Sequence, residues 1–408
     1  MHYKTNHFIA LAAAVLMASS AGAKTVSDLR AGTLADAGID PAETSLTITG
    51  TMNAADFSYI LDNLNALQTL DISGATIAAY SGNALPYTGL STSPAATMPD
   101  YGLTGLKSLT RIILPANLKA IGRGSLSGTG ITSLNIPDGV KSIGAYAAMR
   151  CDRLESLTLP ASATEIGTRA FAYCPKLSAV SIGSGVASIP EGLFEACGGL
   201  KSIDLAAMAN CTEIGPWAFA QCAGATKLVL PENTEAIGRG ALYGADGVDA
   251  LVVPAGVSYI DDNAMSAMST LSVLNVAAVD NVPELGQNVW SRLEPANVML
   301  VVPDNSIADY RGADQWKDFN IISHSEWQAS TDNIETGIGN SELKVVVDGG
   351  MMTVTAGDTP LGRVSVFDTA GRRIATAEAA DKVQFDTAAW ARGVYLVVAG
   401  GGARKVSI

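Results

Sequence analysis

The sequence predicts a repeat solenoid, mainly β with short helical turns, followed by a small Ig-like β-sandwich domain. Two observations predict the solenoid. Eight successive segments share one spaced pattern, and the copies recur most often every 23 residues. A fixed period of that size marks units that cannot bury their own apolar faces and must stack into one continuous core. A third observation predicts the sandwich: the last 68 residues lose the period and show about seven short apolar runs divided by turn signals.

The chain opens with an apolar run, Phe8 to Ala18, preceded by Lys4 and followed by Ala21-Gly22-Ala23. That order is a secretory signal peptide with cleavage expected after Ala23. Residues 24–66 are expected to cap the solenoid. Val26, Leu29 and Leu34 suggest a short helix, Leu46-Thr47-Ile48 a strand, and Asn53 with Asp56 starts a second helix lined by Phe57, Ile60, Leu61 and Leu64.

The repeats occupy 67–322, with apolar anchors at Leu109, Ile131, Leu154, Leu177, Leu200, Ala225, Val248 and Leu271. Each full unit runs as Leu154-Glu155-Ser156-Leu157-Thr158-Leu159-Pro160, then Ile166-Gly167, then Ala170-Phe171-Ala172-Tyr173-Cys174. The anchor and the positions three and five beyond it point inward; those two and four beyond it point outward, because strand side chains alternate. The second outward column reads Ile113, Asn135, Thr158, Ser181, Asp204, Val229, Val252 and Asn275. Phe171, Phe194 and Phe219 are expected to stack inside. Cys151, Cys174, Cys197 and Cys222 share one repeat position and form a column, read as reduced packing residues with a bridge or metal site as the alternative. Cys211 lies outside that register.

In the first unit, Leu67 to Ile72, the Met98-Pro99 pair stands 31 residues after the anchor, where other units need 12. The extra residues, near 80–97, predict a projecting loop. Residues 303–322, with Tyr310, Trp316 and Phe319, predict a C-terminal cap, and the polar stretch 323–340 a linker. In the sandwich, 341–408, the expected strands contain Val345, Val354, Val364-Ser365-Val366-Phe367, Ile374, Val383-Gln384-Phe385, Val394 to Val398 and Lys405 to Ile408.

Composition excludes several functions. The net charge of -13 divides unevenly: residues 24–342 hold 17 basic against 33 acidic side chains, and residues 343–408 hold 8 against 6. An acidic solenoid repels nucleic acid and anionic lipid, so neither is an expected partner. No segment after the leader reaches the length of a membrane-spanning helix. Beyond the leader there is one histidine, His324, so no triad, Cys-His dyad or two-histidine zinc site can be assembled. Asp261-Asp262 is the only adjacent acidic pair of the solenoid, and a turn suits it better than the opposed carboxylates of a glycosidase. No enzyme activity, cofactor or metal is expected.

These residues carry two resemblances. The Leu-x-x-Leu-x-Leu-Pro opening, Ile-Gly centre and Ala-Phe-x-x-Cys close resemble the BspA-like leucine-rich repeats of bacterial surface proteins, which implies a parallel sheet and an adhesive role. Residues 342–408 resemble the type A (Por) sorting domain of type IX secretion. The matching positions are Val364 to Asp368 with Gly371 and Arg372, then Gly393 to Val397 including Tyr395, then Arg404 and Lys405. That resemblance implies export through the secretion machinery to the cell surface.

The expected function is therefore a secreted or cell-surface binding protein with an extracellular protein ligand. Arg111, Asn135, Thr158, Ser181, Asp204 and Lys227 are the expected polar contacts, and Val229 with Val252 the apolar centre, since two valines occupy consecutive outward positions where a solvated sheet carries polar residues. The alternatives are a self-assembling surface component and, because the outward column lacks an aromatic ladder, with less force a glycan-binding protein. The two valines have a second explanation, a cover supplied by the terminal segment of the same chain.

Overall fold

The computed structural model describes residues 23–85, 89–279, 281–327, 343–355, 361–368, 373–379, 381–390, 394–399 and 402–407. The apolar run Phe8 to Ala18, expected as a leader, lies outside them. Each repeat supplies one rung of a three-sided solenoid. The first side is a short parallel strand: Ser133–Asn135, Ser156–Thr158 and Ala179–Ser181 pair in register, with Leu134, Leu157 and Val180 in one column. The same side continues through Ser202–Asp204 and Lys227–Val229, then through Ala250–Val252, Val273–Asn275, Met299–Val302 and Asn320–Ser323. Equal repeat lengths make this register, and the register makes columns.

The second side is the Ile-Gly segment. Ala120–Ile121, Ser142–Ile143 and Glu165–Ile166 pair in parallel, and Thr97–Met98 joins them with Met98 opposite Ile121. That pairing bears out the displaced half of the first unit. Glycine follows because the rungs approach closely here: a Cβ at Gly144 would stand 2.6 Å from the Arg123 amide nitrogen.

The third side, from the Ala-Phe segments, consists of hydrogen-bonded turns whose amides reach the next rung, as when Phe171 N–H donates to the Leu193 carbonyl at 3.1 Å and Phe194 N–H to that of Ala218 at 2.8 Å. Regular helix does not form there, because each turn places two residues four apart at positive φ, such as Tyr146 with Arg150 and Trp217 with Gln221. Inside, Phe171, Phe194 and Phe219 stack at centroid distances of 6.0 and 5.9 Å. The cysteine column is buried and its thiols are free. Cys151, Cys197 and Cys222 each donate to a carbonyl of the preceding rungs at 3.2 Å. Cys211 is also buried and free, and donates to the Glu213 carbonyl at 3.4 Å.

The N-terminal cap differs from the expectation in one element. Val26 and Leu29 belong to a strand, Ala23–Leu29, parallel to Ser45–Met52, and Leu34 opens a short 3-10 turn, Leu34–Ala37. An added strand satisfies backbone groups at the sheet edge that a helix would leave open. The second helix, α1 (Ala54–Asn63), starts with the expected cap: Asn53 accepts from the Ala55 amide and Asp56 from that of Asn53. Asp56 also accepts from the Gly32 and Leu34 amides at 2.8 and 2.9 Å, so one buried carboxylate joins helix to entry loop.

The insertion is a small hairpin instead of a plain loop, with Tyr80–Ser81 antiparallel to Thr92–Ser93. At the far end, α2 (Ile307–Gly312) and the rings of Tyr310, Trp316 and Phe319 close the core over Trp290. The helix is shorter than the spacing of its aromatics suggests, and Asn320–Ser323 returns as a further parallel strand. The linker reading fails for its first residues: Ser323 is in that strand and Trp327 is fully buried. Residues 328–340 lie outside the described part.

The C-terminal segment forms two antiparallel sheets. Lys344–Asp348, Met351–Thr355 and Lys382–Asp386 make one; Arg373–Ala379, Gly362–Asp368, Val394–Ala399 and Gly402–Ser407 make the other. Met352, Val354 and Phe385 from the first meet Val364, Val366 and Val397 from the second in one core.

Candidate binding face

Strand alternation builds the face. With Leu134, Leu157 and Leu228 turned into the core, Asn135, Thr158, Ser181 and Asp204 point outward and are exposed, as are Arg111 and Lys227 in the neighbouring column. All the expected contact residues therefore share one surface. Lys227 Nζ donates to Asp204 Oδ2 at 2.9 Å across adjacent rungs, and this hydrogen bond holds the Asp204 carboxyl below its ordinary range.

The two valines sit where this polar stretch ends. Val252 is 39% exposed and Val229 is half-buried. Together with Ala250, Pro254 and Ala278 they line a cavity of about 400 Å³, rimmed by Lys227 and Glu232 and walled on one side by Arg373 of the sandwich. The second explanation thus holds in part: the sandwich stands beside the valines and covers their neighbours, while Val252 stays open.

The covered part was missed from sequence. Beyond Val252 the outward residues are Val273, Asn275, Met299, Val301 and Ile322, all buried. Val273, Met299, Val301 and Ile322 meet Trp327 and the sandwich residues Phe367 and Leu396 in a cluster separate from the solenoid core. Beside it, Asp249, only 1% exposed, accepts from Ser365 Oγ at 2.8 Å and pairs with the Arg373 guanidinium, which also donates to the Thr226 carbonyl. The available signal was the apolar set Val273, Met299, Val301 and Ile322 at outward positions, which β-propensity alone also explains.

The sites expected from the sorting resemblance divide. Tyr395 is buried in the sandwich, and Lys405 lies on the last strand opposite Leu396. Gly371, Arg372 and Gly393 lie outside the described residues. Ala23, the expected cleavage residue, begins the N-terminal strand. Of the Asp261-Asp262 pair, Asp261 accepts from the adjacent Asp262 amide at 2.7 Å, and Asp262 accepts from the Gln287 amide of the next rung at 2.7 Å. Among the described residues no group of three or more His, Cys, Asp or Glu is placed to hold a metal ion, and no helix is long and apolar enough to cross a membrane. His324 is half-buried at the solenoid's end.

A three-sided parallel solenoid with a broad outward face defines a leucine-rich repeat scaffold. The BspA type leucine-rich repeat region matches in six copies over 91–201 and 188–294, half of the chain, and the protein belongs to that family. Among solved structures, a leucine-rich repeat protein from Bacteroides ovatus is 23% identical with a TM-score of 0.47, covering 63% of this chain and 59% of its own. A leucine rich cell surface protein from Faecalibacterium prausnitzii is 19% identical, TM-score 0.27, over 57% of this chain and 63% of its own. The pneumococcal vaccine antigen PcpA is 15% identical, TM-score 0.30, over 69% and 80%. The chain thus spans less than two thirds of the first two. A comparison with curated proteins finds no match.

Proposed function

We propose that this is an exported, cell-surface, non-enzymatic binding protein whose solenoid engages a protein partner through the outward face. The observation that carries the reading is the face itself: exposed polar residues from Arg111 to Lys227 ending at the open Val229–Val252 cavity. A shallow repetitive surface offers contact area, and an apolar centre ringed by polar groups is how protein interfaces concentrate their affinity. Export would use the leader, with cleavage after Ala23, and residues 341–408 as the segment read by the secretion machinery. Cleavage there would remove one residue from the N-terminal strand and keep the Lys24 pairing with Leu46.

The test is capture of a partner from host-matrix and bacterial-envelope extracts by the full chain, followed by Val229→Asp with Val252→Asp. Expected is loss of capture with a nearly unchanged melting temperature. Unaltered capture moves the site to the 80–97 hairpin or another side, and unfolding assigns the valines to the core.

A further inference from the structure

The outward face changes character along the solenoid. On the middle rungs it carries Asn135, Thr158 and Ser181 in water; on the last rungs it carries Val273, Met299, Val301 and Ile322, none of which the solenoid's own core needs. The geometry points to a second interaction surface that the chain keeps covered: the outward faces of Ala250–Val252, Val273–Asn275, Met299–Val302 and Asn320–Ser323 bind polypeptide bearing an arginine beside apolar side chains, and the C-terminal sandwich occupies them as an internal stand-in. This extends the protein-binding reading of the outward face and rests on it.

The sandwich shows what the surface selects. Its Phe367 and Leu396 alternate with Val366 and Val397, which serve its own core, so the first pair is directed at the solenoid. Its Arg373 supplies the charge that Asp249 needs, and the two parts carry opposite net charge, acidic for residues 24–342 and basic for 343–408. The fit is incomplete. Arg373 and Ser365 both use Oδ2 of Asp249, and Oδ1 has no hydrogen-bond partner. An arginine approaching in a bidentate fork satisfies both oxygens, which gives an outside strand an advantage over the internal one. The cavity at Val229 and Val252 adjoins Arg373, so an incoming apolar side chain can engage before the sandwich leaves.

Hydroxyl-radical footprinting of the full chain tests this through methionine. Met299 lies under the sandwich, whereas Met265 and Met268 lie in the solenoid core and report its integrity. Arg373→Glu and, separately, Asp249→Asn should raise Met299 oxidation by roughly tenfold, the change when a minor undocked population becomes the main one, with Met265 and Met268 unchanged. Asp249→Arg with Arg373→Glu should restore protection. Wild-type oxidation of Met299 in both single variants, or a joint rise at all three methionines, overturns the separable cover. A synthetic peptide alternating leucine with arginine should protect Met299 in the Arg373→Glu chain, and its glutamate-for-arginine counterpart should not. Equal protection by both, or by neither, overturns the arginine-bearing partner. None of these readings uses a captured protein, so failure of the Val229 and Val252 test is scored independently.

Discussion

Phe194 is held between Phe171 and Phe219 and is 1% exposed, so replacing it by alanine leaves a cavity that flanking rungs cannot fill without breaking register. Phe194→Ala should cost about 3–5 kcal/mol in a urea titration, while outward Thr158→Ala should stay within about 0.5 kcal/mol. The thiols beside the ring stack respond to pH. Burial pushes Cys222 from its ordinary 9.0 up to about 12. Cys151 is raised by its hydrogen bond with the Cys174 thiol and then by burial, and Cys211 by burial. A thiol that ionises at higher pH when folded contributes stability that is fully present below the unfolded value and lost as pH climbs through the folded one. The expected window is therefore pH 9 to 12 for Cys222, with loss of about 1.4 kcal/mol per pH unit for a fully buried thiol. Unfolding titrations at pH 8 and above pH 10 check it, and a Cys222→Ala chain should lose part of the slope.

The third-side turns hold local strain, because Tyr146, Arg169, Trp217 and Asn263 each take positive φ without being glycine. The hydrogen bonds to the next rung keep them there. Gly240 occupies the same turn position at φ 59°, and a Cβ on it would meet the Trp217 ring at 2.4 Å. Gly240→Ala should destabilise by about 1–3 kcal/mol through the ring clash and the φ penalty. Adding Trp217→Ala should recover the clash component, read as a positive coupling in a double-mutant cycle of melting curves. The N-terminal strand shows the same logic of neighbours. Val26 and Leu29 have spacing a helix can use, but the open edge of Ser45–Met52 offers backbone partners that reward extension.

At the scale of the molecule, a solenoid is only as stable as its ends. Trp316 is 1% exposed, packs 5.1 Å from Trp290 and donates to the Pro283 carbonyl at 3.2 Å. Trp316→Ala should cost about 3–5 kcal/mol, and hydrogen exchange should show the rungs from Glu284 onward opening before those near Phe171, because coupling passes only between neighbours. The sequence by itself determined the rung: the 23-residue period, the inward columns, the buried phenylalanines and cysteines, and the short strands of the terminal segment. Each of these repeats or alternates, so burial on one side of a strand can be read from its own residues. Only the tertiary structure decided that the first strand extends the sheet, that the insertion is a hairpin, and that the sandwich lies across the last rungs with Ser365 on Asp249, 116 residues away. A contact made once leaves no period. Val273, Val301 and Ile322 read equally as strand formers or as a covered surface until the covering side chains, Phe367 and Leu396, are placed against them.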